Sequence, residues 1–263
     1  MRGAGQGDFM GRIRWSSEIE ENGKVEGQNV ERIDCRQDVV HVITVCLDQT
    51  VDGMLDLLDS EERDRAARFV FDRDRRRFIV SHAWTRLALA SCLDCAPESL
   101  RFYAGPTGKP CLVGTPGDVR FNVSHSGERA LVALARGQEV GVDIEQHRPV
   151  EVIELAHKFF EMSEIKSLEG LPQTKQVAAF FRCWTRKEAF VKALGNGFAF
   201  PLDGFAVSVL DDHSSQLLCA CDAAPEALDC WRIIGLRTAP GYSAALAAGR
   251  SPWRVVQWRG REM

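Results

Sequence analysis

The 263-residue sequence predicts an α+β protein of two similar, pseudo-repeated halves with mostly antiparallel sheets. Segments of strand character cluster in runs and do not alternate one for one with helices, which argues against a parallel α/β sheet. Two helical stretches carry the same tripeptide about 100 residues apart, "HAWTRLALA" at 82–90 and "RCWTRKEAF" at 182–190. With strands flanking both helices, the repetition reads as a duplicated unit. A crevice between two packed halves is where a ligand naturally sits.

Residues 1–35 are Gly-rich and polar without a sustained period, so a poorly ordered N-terminal extension is expected there. The first half is placed at 36–138. It opens with a strand at "DVVHVITVCL" (38–47), after which Asp59 or Ser60 caps a helix, with Glu62 three residues beyond Asp59 as a capping box requires. A second helix is expected from about Asp74 to Leu93, then strands at "VRFNVS" and "RALVALA". The second half, 139–263, begins with the strand "EVGVDIE" (139–145) and continues with helices near 151–160 and 173–194. Its remainder reads as strands: "FAVSVL", "QLLCAC", "WRIIGLR", "YSAALAA" and "WRVVQW".

At 45% hydrophobic and 27% charged residues the composition is that of a globular protein, neither fibrous nor wholly disordered. The start lacks an apolar signal region and no apolar run approaches the ~18 residues of a membrane span, so a soluble, cytoplasmic protein is expected, with no membrane contact. Nine scattered cysteines do not resemble a disulfide framework, which fits a reducing compartment. Cys92 and Cys95 have CxxC spacing, but no second pair follows at zinc spacing. The net charge of -4 argues against a nucleic-acid binder. Against that acidic balance, Arg63 to Arg77 holds seven arginines and three aspartates, either a solvated helix face or a site for phosphates or an acidic partner.

Two short stretches carry candidate chemistry. In "EVGVDIE", Val140, Val142 and Ile144 point to one face of a strand, and Gly141, Asp143 and Glu145 to the other. Side-by-side carboxylates repel unless a cation lies between them, and magnesium is typically held by one or two carboxylates with phosphates and water. Gly141 leaves room for a ligand to approach the backbone. In "WTRKEAFVKALGNG" (184–197), Glu188 and Lys192 are one turn apart on one helix face, and the glycines suit the helix end.

With "GPTGKP" (105–110), "FNVSHSG" (121–127) and "FFEMSE" (159–164), these two stretches form five ordered motifs. Together they resemble the 4'-phosphopantetheinyl transferases of the Sfp type, over about residues 36–258. The resemblance implies a monomer with its active site between two similar α+β halves, which moves the phosphopantetheine arm of coenzyme A onto a serine of an apo carrier protein with an acidic surface, with Mg2+ as cofactor and adenosine 3',5'-bisphosphate as product. It implies Asp143 and Glu145 as metal ligands, and Glu188 as a third ligand or general base. Lys192 would contact the transferring phosphate, and Lys187 would bind coenzyme A beside it. Trp184 is expected to pack the helix. Ser124, His125 and Lys109 would bind coenzyme A near its phosphates, and Arg65 its 3'-phosphate. A second family lysine falls at Glu62, which Arg77 or a neighbouring arginine would replace; Glu164 matches a family glutamate of open role. Two other readings compete: a silent module that binds coenzyme A or a carrier protein, and a magnesium-dependent nuclease. The nuclease reading lacks a lysine close behind the acids, where Gln146 and His147 stand.

Overall fold

A computed structural model describes residues 13–21, 24–30, 32–114, 118–195, 201–210, 217–219, 230–249 and 252–262. Among them run β1 (Ile13–Glu21), β2 (Lys24–Val30), β3 (Val39–Cys46), α1 (Met54–Leu57), α2 (Ser60–Ala67), α3 (Asp72–Leu93), β4 (Phe102–Ala104), β5 (Pro110–Leu112), β6 (Val119–Ser126), β7 (Arg129–Arg136) and β8 (Val140–Gln146). There follow α4 (Val152–Phe159), α5 (Met162–Glu169), α6 (Gln173–Leu194), β9 (Ala206–Val207), β10 (Leu217–Cys219), β11 (Trp231–Gly235), β12 (Tyr242–Gly249) and β13 (Arg254–Glu262). No helix among the described residues is long and apolar enough to cross a membrane.

The large sheet has the order β2-β1-β13-β3-β7-β6, and the second has the order β11-β12-β8. Within these two sheets every pairing is antiparallel except β13 against β3. Strand alternation separates three cores. Ile43, Val132 and Leu134 face α3, which contributes Val80, Trp84 and Leu87. Val40, Val42 and Leu131 face the other way and meet Val142, Ile144 and Leu246 of the second sheet. Beyond that sheet, α6 packs Ala189, Phe190 and Ala193 on Ile233, Ala245 and Ala247. The layers are therefore helix, sheet, sheet, helix, a mixed α+β arrangement with largely antiparallel sheets, the class the sequence predicted.

The duplication is visible in the local chemistry. The helices α3 and α6 each span 22 residues. Ahead of each lies a short helix with a capping box, Asp59 with Glu62 and Glu161 with Glu164. In both boxes the glutamate also takes a cation from the long helix: Arg86 Nε lies 2.7 Å from Glu62, and Lys187 Nζ 2.8 Å from Glu164. Both cations are fully buried, so each pair staples a short helix to the long one inside the core.

Three expectations change. The stretch 1–35 is not a bare extension, because β1 and β2 form a hairpin joined to β13, and Trp15 is buried edge-to-face on Trp84 at 5.7 Å. Residues 1–12 lie outside the described residues. The chain's last strand, β13, leaves the second half and pairs with β3 of the first. The cysteines, expected to be reduced, include a disulfide: the fold brings the Cα atoms of Cys35 and Cys92, 57 residues apart, to within 5.3 Å and the two are bonded, while Cys95 is free.

Candidate active site

The motif "NVSHS" gains its meaning from the edge of the large sheet. Along β6, Asn122, Ser124 and Ser126 recur at the strand's two-residue period and accept hydrogen bonds from the N–H groups of Val142, Ile144 and Gln146 on β8, at 2.9, 3.4 and 3.1 Å. Side chains thus do the work of a neighbouring strand and fix β8 against the first half. The same serines then donate to the acids of β8. Ser124 Oγ lies 2.7 Å from Asp143 Oδ1, and Ser126 Oγ 2.8 Å from Glu145 Oε2. This period-two polar pattern was present in the sequence and would have identified Asn122 and Ser126.

The opposite wall is α6. Gly141 lets it close in: a Cβ there would collide with the backbone of Ala189 and Ala193. The glycine serves helix packing and not the approach of a ligand, which corrects the sequence reading. Because Ala189 and Ala193 are one turn apart and flank Glu188 and Lys192, this contact also sets the height of both candidate side chains over Asp143.

Lys192 Nζ lies 2.6 Å from Asp143 Oδ1 and 3.1 Å from Ser124 Oγ. Asp143 Oδ2 is buried without a hydrogen-bond partner. Burial pushes the Asp143 carboxyl above its usual range, and the Lys192 charge and hydrogen bond, helped by Ser124, offset only part of that. Burial also raises Glu188, with the charges of Asp143 and Glu145 acting in the same direction. Glu145 is held by Ser126 and by Arg148 at 3.2 Å.

Among the described residues, no three His, Cys, Asp or Glu side chains are drawn together as a metal-binding group. The predicted trio of Asp143, Glu145 and Glu188 therefore does not form a closed cage, and the Lys192 ammonium stands at Asp143 instead. The residues nonetheless fit a divalent cation: an orphaned carboxylate oxygen and a second acid raised by its acidic neighbours both gain from added positive charge.

The remaining predicted residues divide. Lys187 is corrected outright. It is fully buried, and its three donors go to Glu164, Leu202 O and Phe205 O, leaving nothing for coenzyme A. Glu164, whose role was open, is the other half of that pair and also accepts from Val207 N at 2.8 Å. Trp184 packs as expected, stacked on Phe180 at 5.9 Å. Lys109 braces the site from beneath, donating to Glu139, Val140 O and Lys192 O at 3.0–3.2 Å. His125 is exposed, one residue along β6 from the buried Ser124.

On the first half, Arg65 is exposed with its guanidinium 5.3 Å from the Phe78 ring. Arg77 is engaged by Asp48 through two bonds of 2.6 and 2.7 Å. Burial alone would raise Glu62, but His82, Arg86 and the capping N–H outweigh it and hold the carboxyl below its usual value. An acid at this position thus serves the helix staple.

Residues 139–247 match the family model described as the 4'-phosphopantetheinyl transferase superfamily, and residues 47–137 match that described as 4'-phosphopantetheinyl transferase, N-terminal. The chain is 33% identical over 227 residues to the 4'-phosphopantetheinyl transferase HetI of Nostoc sp., covering 84% of this chain and 92% of that protein. It is 40% identical over 151 residues to a putative 4'-phosphopantetheinyl transferase of Synechocystis sp., a match covering 57% of this chain and 61% of that protein. It is also 28% identical over 194 residues to the 4'-phosphopantetheinyl transferase Sfp of Bacillus subtilis, covering 74% and 83%.

Proposed function

Because the chain belongs to the 4'-phosphopantetheinyl transferase superfamily, we propose that it moves the phosphopantetheine arm of coenzyme A to a serine hydroxyl of an apo carrier protein, acting as a monomer. The bond formed joins the serine oxygen to the phosphorus carrying the arm, and the bond broken releases adenosine 3',5'-bisphosphate. The observation that carries this reading is the junction of Asp143, Ser124 and Lys192, a buried acid with one free oxygen and a cation beside it.

Attack of a neutral hydroxyl on phosphorus ringed by negative oxygens needs alignment and positive charge on the non-reacting oxygens. Lys192 supplies that charge on a side chain 30% exposed, free to turn from Asp143 towards a phosphate. Glu188 takes the serine proton; its raised affinity for protons makes it a better base near neutral pH than an ordinary glutamate. Asp143 and Glu145 are the residues that would hold Mg2+, with Glu188 as third ligand in place of its role as base; the ion would supply further charge neutralisation on the pyrophosphate. Ser124 and Ser126 keep two of these acids oriented, and Lys109 holds the backbone at Lys192. Arg65 and its arginine-rich neighbours serve the 3'-phosphate and the acidic surface of the carrier protein.

The test is the intact mass of an apo carrier protein incubated with this chain, coenzyme A and magnesium, with an EDTA control. A gain of one phosphopantetheine, abolished by EDTA, is expected. No gain across acyl, peptidyl and aryl carriers would refute the transferase reading.

A further inference from the structure

A cleft of about 1000 Å³ opens between the two sheets, lined by residues near the ends of β3, β8 and β11 and the start of β12. It begins where the inter-sheet core stops. On β3 the core residues Val40 and Val42 are succeeded, on the same face, by Thr44; on β7 the core residue Leu131 is preceded by Arg129. Thr44 and Arg129 both line the cleft, with Arg182 from α6, Arg259 from β13, and Arg237 and Tyr242 from the chain between β11 and β12. Asp143, Glu145, Glu188 and Lys192 do not line it, but Ser243, the cross-strand partner of Glu145, and His147, two residues past Glu145, do, so the cleft adjoins the transfer site without sharing those four side chains.

Among the described residues the lining carries four arginines and no carboxylate. Cations gathered in a walled cleft repel one another and raise the local potential for anions. A second observation points the same way. Arg129 Nε is buried without a hydrogen-bond partner, although its Nη2 lies 3.4 Å from Glu128. A buried N–H donor left without an acceptor is costly, and an anion's oxygen would satisfy it. The other arginines have partners within the protein, as Arg182 does in donating to Val209 O at 3.0 Å. What distinguishes the cleft is the gathering of four arginines around one unpartnered guanidinium N–H, together with a size suited to a small ligand.

We propose that this cleft is a second anion-binding site, taking a compact polyanion with at least two oxyanion groups, which planar guanidinium forks grip in pairs. The proposal does not depend on the transferase reading. It is tested by calorimetric titration of the metal-free full chain with inorganic pyrophosphate at fixed ionic strength. Parallel titrations use Arg237→Ala, Arg259→Ala and Lys192→Ala, each first checked for an unchanged melting profile.

Saturable binding of one pyrophosphate per chain is expected, weakened about tenfold by either arginine substitution, as loss of one charge-assisted contact implies. It should persist in Lys192→Ala, which separates this site from a pyrophosphate held in the transfer site. Citrate titrated in the same way distinguishes a phosphate from a carboxylate ligand; saturable binding of either, lost with the arginines, supports the site. No saturable binding of either anion overturns the proposal. So does binding that survives both arginine substitutions and vanishes in Lys192→Ala.

Discussion

Lys192 donates to Asp143 across 2.6 Å and to Ser124 across 3.1 Å, joining residues 49 and 68 positions away in sequence. One ammonium thereby links α6 to β8 and to the edge of the other half. Replacing it with alanine should lower phosphopantetheine transfer about 10²–10³-fold, the usual cost of removing one donor to developing charge. Initial rates on an apo carrier protein measure this. A rate equal to that of the unaltered chain would show that Lys192 makes no contact with the reacting phosphate.

Glu188 separates activity from stability. Burial and the charge of Asp143 raise its affinity for protons in the folded state, so its ionisation opposes folding, and this contribution worsens as pH rises from the unfolded carboxyl range through the folded value. At neutral pH, Glu188→Gln should therefore melt at the same temperature or higher while transferring far more slowly. A lowered melting temperature would contradict the assigned electrostatics.

Gly141→Ala should damage both properties at once. The added methyl meets the α6 backbone at Ala189 and Ala193, neither of which yields as a side-chain end would. Overpacking of this kind costs about 1–3 kcal/mol and pushes Glu188 and Lys192 away from Asp143. Urea unfolding and transfer rate should both fall; a fully active, fully stable variant would mean that the close approach is not real.

The pair of Glu164 and Lys187 is buried on both sides, 1% and 0% exposed. Lys187→Met alone leaves an uncompensated buried carboxylate and should cost about 3–5 kcal/mol in unfolding free energy. Adding Glu164→Leu should recover part of that loss, because the unpaired charge is then gone. A single substitution as harmless as a surface change would place Lys187 outside the core.

His41 gives a pH signature of its own. Trp258 Nε1 donates to His41 Nδ1 at 2.9 Å, and His41 Nε2 faces Asp34 O at 3.1 Å, so the ring is neutral with its proton on Nε2. Burial lowers its pKa from 6.5 to about 4. The unfolded chain binds the proton first, so stability is full above about pH 6.5 and declines as pH falls towards 4, by about 3 kcal/mol from this group. His41→Gln should flatten that portion of the stability profile.

Much of this was legible in the sequence. The capping box at Asp59 and Glu62, the helix 173–194 and the strand ending in Asp143 and Glu145 stand where local rules placed them, because caps and residue periods report backbone geometry within a few residues. The spacing of Lys187 also held a signal. It lies five residues from Lys192, about 140° around the helix, whereas Glu188 lies only about 40° away, so the two lysines cannot share a face.

By itself the sequence determined the helices, the alternating strands, the two-fold repetition and the residue types of the transfer site, since these depend on neighbours along the chain. Only the tertiary structure decided that Gly141 admits a helix, that Ser124 and Ser126 hold the acids, and that Lys187 turns inward to Glu164 while Lys192 faces Asp143. It also decided the return of β13 to the first half, the partnership of Cys35 with Cys92, and the convergence of four arginines on one cleft. Each of these joins segments far apart in sequence, where packing and burial choose the partner and no local period records the choice.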